Sequence, residues 1–405
     1  MDRIRVTIDG VRGYWPFNNL LSLDFDGWKF YKNSKNEFQS KYVNDSIEGI
    51  HIEYRPYTAK GRLSLDLNIS VVLMGDNIGS VYCYNVQDLV EKINDKLNGV
   101  ISLYELPHLR FWRVSSAEIN FNIIGSKSYV DGLYIAISKM KPPQNYRLND
   151  RYKERGTIYM NKDKKKGLSS IKIYYKLKER VEKGIKSESA YYDCKDLINI
   201  RPGEDVLRFE VKMCREDLIT AYRRYTRSKF YKDKRLAVIT QYKYEASFED
   251  IFDYDFQLFT LDEHVKELHL DKVITTRANL FQAIDNSKSL TPKYKKNMKE
   301  GLRFLNGEIR RIKLSSRTLA NYIAVLDECG YHYIYSDAEL PGVSLEGIIA
   351  GLPTIQRQIN EFYKDGNIMT DVWYRKATPE VLDLMLSRRS YNKEVLMPQD
   401  TEGVT

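Results

Sequence analysis

A tyrosine set between lysines is a residue that could do chemistry. In Ile171 to Arg180 the chain reads Ile-Lys-Ile-Tyr-Tyr-Lys-Leu-Lys-Glu-Arg. Side chains alternate along an extended chain, so Lys172, Tyr174 and Lys176 share one face, and Ile171, Ile173 and Tyr175 share the other. Ammonium groups around a phenol favour its phenolate and draw in a phosphate. Tyr174 is thereby a candidate nucleophile toward a phosphodiester. An ordinary amphipathic surface strand has the same pattern, so its companions must decide.

Two further segments share the design. In Ser115 to Phe121, Ser116, Glu118 and Asn120 face one way, and Ala117, Ile119 and Phe121 face the other. In Leu207 to Met213, Arg208, Glu210 and Lys212 oppose Leu207, Phe209, Val211 and Met213. A half-buried sheet puts its apolar faces on a common core. If the three strands join one sheet, Glu118, Glu210, Tyr174, Arg208 and the lysines lie on its polar face. Two carboxylates suit a hard divalent cation such as Mg²⁺ or Mn²⁺, and Arg208 or a lysine such as Lys176 would steady charge on a phosphoryl group. A polar outer face laced with cross-strand ion pairs fits the same pattern. No His-hydrophobe-His pair occurs. His51 shares a strand face with Glu53 and Arg55, and His108 lies just upstream of the Glu118 strand, so each is a candidate third ligand.

The elements that must position these groups follow from periodicity. Strand patterns cover Ile50 to Arg55, Arg62 to Met74, Phe111 to Ile124, Gly156 to Met160, Ser170 to Lys176 and Asp205 to Cys214. Helical patterns lie between them at Asn85 to Leu97, Ser128 to Ser138 and Leu177 to Gly184. The spacing predicts an α+β fold with an antiparallel-rich sheet over residues 1–245. Beyond it, Leu261 to Leu268, Thr276 to Ile284, Lys293 to Asn306, Ser316 to Cys329 and Leu345 to Phe362 read as helices. Ser315 or Ser316 can cap the fourth of these helices and Gly330 can stop it, and Gly307 can end the one before. That pair suggests a helix-turn-helix within a helical domain over 246–335, with an ordinary helical hairpin as the alternative. Residues 336–405 are expected to form a helical segment with a disordered tail from Gln399 to Thr405.

Composition narrows the function classes. With 42% hydrophobic and 29% charged residues among 405, the chain is that of a soluble globular protein of two or three domains. No apolar run approaches the roughly 18 residues of a membrane span, and the N-terminus lacks an apolar signal core. Cys83, Cys194, Cys214 and Cys329 are scattered, which fits a reducing cytoplasm and argues against a zinc module. The formal charge of +9 is concentrated in Asn161 to Lys166, Arg223 to Arg235 and Lys293 to Lys299, with tyrosines in or near each run. Basic groups beside aromatic faces suit a phosphate backbone and unstacked bases; solvated helix faces are the alternative. No G-x-x-x-x-G-K-[ST] loop is present.

Three motifs carry a resemblance to a known family. Trp112 to Asn120 resembles a strand of pattern V-S-R-I-D-I, Tyr174 to Glu179 a Y-x-K-x-x-E element, and Val206 to Val211 an L-R-F-E-V strand. Gly75-Asp76-Asn77 is similar to a G-x-N turn. In order and spacing these resemble the gene II replication initiators of filamentous phages, and more distantly the initiators of rolling-circle plasmids. The resemblance spans most of residues 50 to 335. It implies a nicking-closing endonuclease with Tyr174 as nucleophile and Glu118 and Glu210 at a Mg²⁺ or Mn²⁺ site. It further implies a 5′-phosphotyrosine intermediate, double- and single-stranded origin DNA as substrate, and a host helicase and DNA polymerase as partners in the host cytoplasm. Two positions depart from the pattern. Ser116 and Glu118 stand where the family has Arg-x-Asp, and Tyr175 follows Tyr174 directly but points to the opposite face. The competing expectation is a non-catalytic DNA-binding repressor or origin-binding protein.

Overall fold

The computed structural model describes residues 3–9, 27–32, 41–55, 61–74, 81–83, 86–98, 108–143, 145–149, 156–162, 169–182, 204–230, 247–337 and 368–370, with a few isolated positions between them. The Gly75 to Asn77 turn, the helix expected at Leu345 to Phe362, most of the Asn161 to Lys166 run, Arg223 to Arg235 beyond Phe230, and the C-terminal tail fall outside these residues.

Fourteen strands are described. They are β1 (Arg3–Asp9), β2 (Trp28–Tyr31), β3 (Lys41–Ile47), β4 (Ile50–Arg55), β5 (Arg62–Asn68), β6 (Val81–Cys83), β7 (Arg113–Ser126), β8 (Tyr146–Leu148), β9 (Thr157–Lys162), β10 (Ser170–Tyr175), β11 (Glu204–Cys214), β12 (Val273–Thr276), β13 (Tyr331–Ser336) and β14 (Ile368–Thr370). Ten of them form one sheet in the order β2-β3-β4-β5-β1-β7-β11-β10-β9-β8, every pair antiparallel. The architecture is therefore mixed α+β built on a large antiparallel sheet, as the alternating segments predict.

Ten α-helices are described: α1 (Ile69–Met74), α2 (Val86–Leu97), α3 (Lys127–Ser138), α4 (Lys176–Glu182), α5 (Arg215–Phe230), α6 (Phe248–Phe252), α7 (Tyr254–Glu267), α8 (Arg277–Asn286), α9 (Pro292–Leu305) and α10 (Ser316–Glu328). Local chemistry sets their ends. Ser126, Ser247, Asp253, Thr276, Thr291 and Ser315 cap α3 and α6 to α10, each accepting a backbone N–H of the first turn. Gly307 and Gly330 adopt positive φ just past α9 and α10, where only a residue without Cβ is unstrained.

One face of the sheet is apolar. Ile4, Ile52, Leu65, Leu67, Ile119, Phe121, Ile171, Ile173, Phe209 and Val211 are fully buried there. Phe121 and Phe209 stack across β7 and β11 with ring centroids 5.1 Å apart. The same buried cluster runs on through Leu133 of α3, Phe248, Phe256, Ile274, Leu302 and Ile334. One core thus crosses residue 245, where the sequence suggests a domain boundary. Lys139 at the end of α3 bonds the Tyr335 carbonyl at 3.3 Å and Asp337 at 3.1 Å, tying α3 to the end of β13.

Several elements differ from expectation, among them the parallel β12–β13 pair inside the segment 246–335 read as helical. Arg62 to Met74 is a strand only to Asn68, after which α1 follows. The connection from Asn306 to Ser315 between α9 and α10 is longer than the tight turn of a helix-turn-helix. The two helices pack closely nonetheless, with Tyr294 edge-on to Tyr322 at 5.0 Å. No helix among the described residues is long and apolar enough to cross a membrane.

Candidate active site

The site begins with strand register. Across β10 and β11, Lys172 lies opposite Glu210 and Tyr174 opposite Arg208. Across β11 and β7, Arg208 lies opposite Asn122, Glu210 opposite Asn120, and Lys212 opposite Glu118. Glu118 and Glu210 are therefore diagonal neighbours on adjacent strands of one polar face, a relation that brings side chains within reach of each other. Tyr174, Glu210, Arg208 and Glu118 are all gathered there, as the alternation predicts.

These groups are bonded to one another. The Tyr174 hydroxyl donates to Glu210 Oε2 at 2.9 Å, and Lys172 Nζ bonds Glu210 Oε1. Lys212 Nζ donates to Glu118 Oε1 at 2.8 Å, and Arg208 Nε to Asn122 Oδ1 at 2.9 Å. Burial is deep: Tyr174 is 5% exposed, Glu210 2%, Lys176 1% and Arg208 0%. Charged side chains are seldom buried unless paired. Burial by itself would raise the Glu210 carboxyl, but Lys172, then Lys176 and Arg208, outweigh it and hold the group at about 2. Burial would lower the Lys172 ammonium, yet Glu210 and Glu118 together carry it well above the usual lysine range. Lys172 is thus the cation that serves both carboxylates.

Lys176 sits elsewhere than alternation predicts. The strand stops at Tyr175, and Lys176 is the first residue of α4. Its Nζ still reaches the tyrosine, 5.7 Å from the centre of the Tyr174 ring, while donating to Glu179 at 3.2 Å. Tyr175 points to the other face. Its hydroxyl donates to Asp131 at 2.8 Å and its ring lies 4.7 Å from that of Tyr134, so it joins α3 rather than the site.

The histidines lie apart from the carboxylate pair. His51 is on β4, separated from β7 by β5 and β1, and its Nδ1 pairs with Asp45 at 2.5 Å. His108 precedes the short turn before β7, its ring 6.4 Å from that of Phe111. Among the described residues, no group of three or more His, Cys, Asp or Glu side chains is placed to hold a metal ion. Glu118 and Glu210 are each matched by an ammonium, Lys212 and Lys172. A divalent cation needs oxygen donors whose charge is still available. The donor set in this arrangement does not fit one.

No protein-family model matches the chain, and no curated protein matches its sequence. The functional reading therefore rests on the site.

A second cluster on the polar face escapes the motif reading. Glu53, 4% exposed, accepts from Lys41 at 2.7 Å, Arg55 at 2.6 Å and Arg5 at 3.4 Å. Burial would raise its carboxyl, but Lys41 and Arg55 hold it below the usual range. The signal was present in the alternation of His51, Glu53 and Arg55, but the partners come from two other strands, Lys41 from the neighbouring β3 and Arg5 from β1 far back in the sequence. Asn122, which holds Arg208, was equally silent, being one more polar residue along β7.

Proposed function

We propose that this protein is a DNA strand-nicking and rejoining enzyme that initiates rolling-circle replication at a phage or plasmid origin. The observation that carries the reading is the bond from the Tyr174 hydroxyl to Glu210 in a buried cluster of lysine and arginine. Buried ionisable groups gathered around one hydroxyl are a signature of functional sites. The Tyr174 oxygen attacks the scissile phosphorus, the bond from phosphorus to the 3′-oxygen breaks, and a 5′-phosphotyrosine forms. The phenolic proton passes to water, and water returns one to the departing 3′-oxygen. Glu210 is too weak a base to store the proton, because Lys172 already matches its charge; it aims the hydroxyl. Lys176 and Arg208 offset negative charge on the phosphoryl oxygens. Reversal by a 3′-hydroxyl rejoins the strand, and the phosphotyrosine conserves the bond energy, so no nucleotide is consumed.

Support for a DNA partner comes from α9, α10 and their connection, where Lys293, Lys296, Arg310, Arg311, Lys313 and Arg317 are exposed. Such a surface suits phosphate contacts on duplex DNA. The deciding test is covalent capture. Labelled origin DNA, double- or single-stranded, is incubated with the protein and resolved under denaturing conditions. The parent and Tyr175→Phe are expected to form an adduct and Tyr174→Phe none. An adduct with Tyr174→Phe refutes the assignment.

One observation favours a second reading, a DNA-binding repressor or origin-binding protein without nicking activity. Tyr174 is only 5% exposed, so a scissile phosphate reaches its hydroxyl only when the side chains covering it part. Duplex binding without any adduct from the parent protein selects this reading.

A further inference from the structure

A cavity of about 560 Å³ lies between α5 and α7, against the ends of β9 and β11 and away from Tyr174. One wall is a single face of α7, where Thr260 and His264 stand one helical turn apart. Both are buried, at 1% and 9% exposed. The Thr260 hydroxyl has no hydrogen-bond partner. The His264 Nδ1 faces the Thr260 backbone carbonyl at 2.8 Å. In a neutral ring that nitrogen must carry the proton, which leaves Nε2 as an acceptor. Burial holds the ring below the ordinary histidine range and so keeps it neutral. A buried hydroxyl without a partner costs free energy that a ligand could recover.

The remaining lining defines the ligand's character. Phe259 contributes a ring. The charges are matched within the protein: Lys162 with Glu267 at 3.6 Å, Arg224 with Glu263 at 3.4 Å, and Lys266 with Asp262 at 2.8 Å. Tyr146 further donates to Glu267 at 3.0 Å, and Ser169 bonds Asp217. A cavity whose charges are already balanced suits an uncharged polar ring over a phosphate. An acceptor beside a hydroxyl matches an edge that places an N–H next to a carbonyl or ring nitrogen. Nucleobases carry that edge together with a flat face for Phe259.

We propose that this cavity binds a nucleobase, with His264 Nε2 accepting from a base N–H and the Thr260 hydroxyl donating to the adjacent acceptor. The base is supplied either by a free deoxynucleoside or by a single strand with its phosphates outside. In the second case the inference deepens the strand-nicking reading; in the first it stands without it.

The test is calorimetric titration of the full chain. The ligands are the four deoxynucleosides, one at a time, and a single-stranded decamer with or without an abasic position scanned along it. A ¹⁵N-histidine spectrum follows His264. Binding of a nucleoside that shifts the His264 Nε2 signal supports a free-base site. Weaker binding of an abasic decamer, with the same signal moved by the intact one, supports capture from a strand. Thr260→Val keeps the side-chain shape and should weaken whichever binding is seen by about tenfold, the effect of one lost buried hydrogen bond. If neither ligand type moves the His264 signal, or Thr260→Val binds as well as the parent, the proposal is overturned. None of these readouts involves Tyr174 or a nicked product, so the proposal can fail while strand nicking stands, and the reverse.

Discussion

Replacing Glu210 with glutamine separates the charge of this carboxylate from its shape. The parent carboxyl is held at about 2 against an ordinary value near 4.5, by Lys172 chiefly and despite its burial. A depressed carboxyl stabilises the fold above its unfolded value and loses that contribution as pH falls through the folded one. A carboxyl held that far below its unfolded value contributes on the order of 3 kcal/mol. At pH 7, Glu210→Gln leaves Lys172, Lys176 and Arg208 without their shared anion. The expected cost is about 3 kcal/mol or somewhat more, as for other broken buried pairs. As pH falls from about 5 toward 2 the parent should lose stability that the variant never had. The gap between them should then close. Urea unfolding followed by circular dichroism at pH 7, 5, 4 and 3 gives both curves. Other carboxylates, Glu53 among them, titrate in both proteins and cancel in the difference. A gap that stays constant from pH 7 to pH 3 would refute the claim that Lys172 and its neighbours hold Glu210 ionised in the fold.

Other outcomes follow from the same contacts. Tyr174→Phe removes the bond to Glu210 and should lower the melting temperature by a few degrees, reflecting about 1.5–3 kcal/mol for a hydrogen bond to a charged group, as read by calorimetry. Replacing Lys172 and Lys212 together with methionine removes the ammonium bonded to each of Glu210 and Glu118, and the variant should bind Mn²⁺ more tightly than the parent by paramagnetic resonance titration; equal affinity would show that the two lysines do not compete with a cation. Glu53→Gln withdraws the common partner of Arg5, Lys41 and Arg55 and should cost about 2–4 kcal/mol in denaturant unfolding. At Gly301 an added Cβ would lie 3.0 Å from Leu319 and 3.1 Å from Tyr322, so Gly301→Ala should wedge α9 from α10 and cost about 1–3 kcal/mol by thermal unfolding.

Much of the sheet was legible because period-two alternation fixes which side chains share a face. That pattern put Arg208 and Glu210 on one face with Tyr174 on the condition that their strands join one sheet, and the register shows that they do. Where alternation ran into a helix former, the reading overshot. Lys176-Leu177-Lys178-Glu179 favours helix, and the strand ends one residue before Lys176. Ile69 to Met74 misled in the same direction, since its β-branched residues read as strand while the chain folds them into α1. The ion pairs that occupy the two glutamates were not legible. Both Lys172 and Lys212 could be seen to face the right way, but which carboxylate each would take depends on register. The cavity was beyond reach for a related reason: Thr260 and His264 gain meaning only from what α5 places opposite them.

The position of β1 has a consequence for how the molecule comes into being. The first strand in the chain lies inside the sheet, with four strands on one side and five on the other. Among the described strands it alone pairs with both β5 and β7. A nascent chain makes β1 well before its second neighbour, which begins at Arg113, so β1 must wait with one edge open while the intervening residues are synthesised. A chain started downstream of Asp9 would hold the Glu53 cluster and the Glu210 cluster on two unconnected half-sheets.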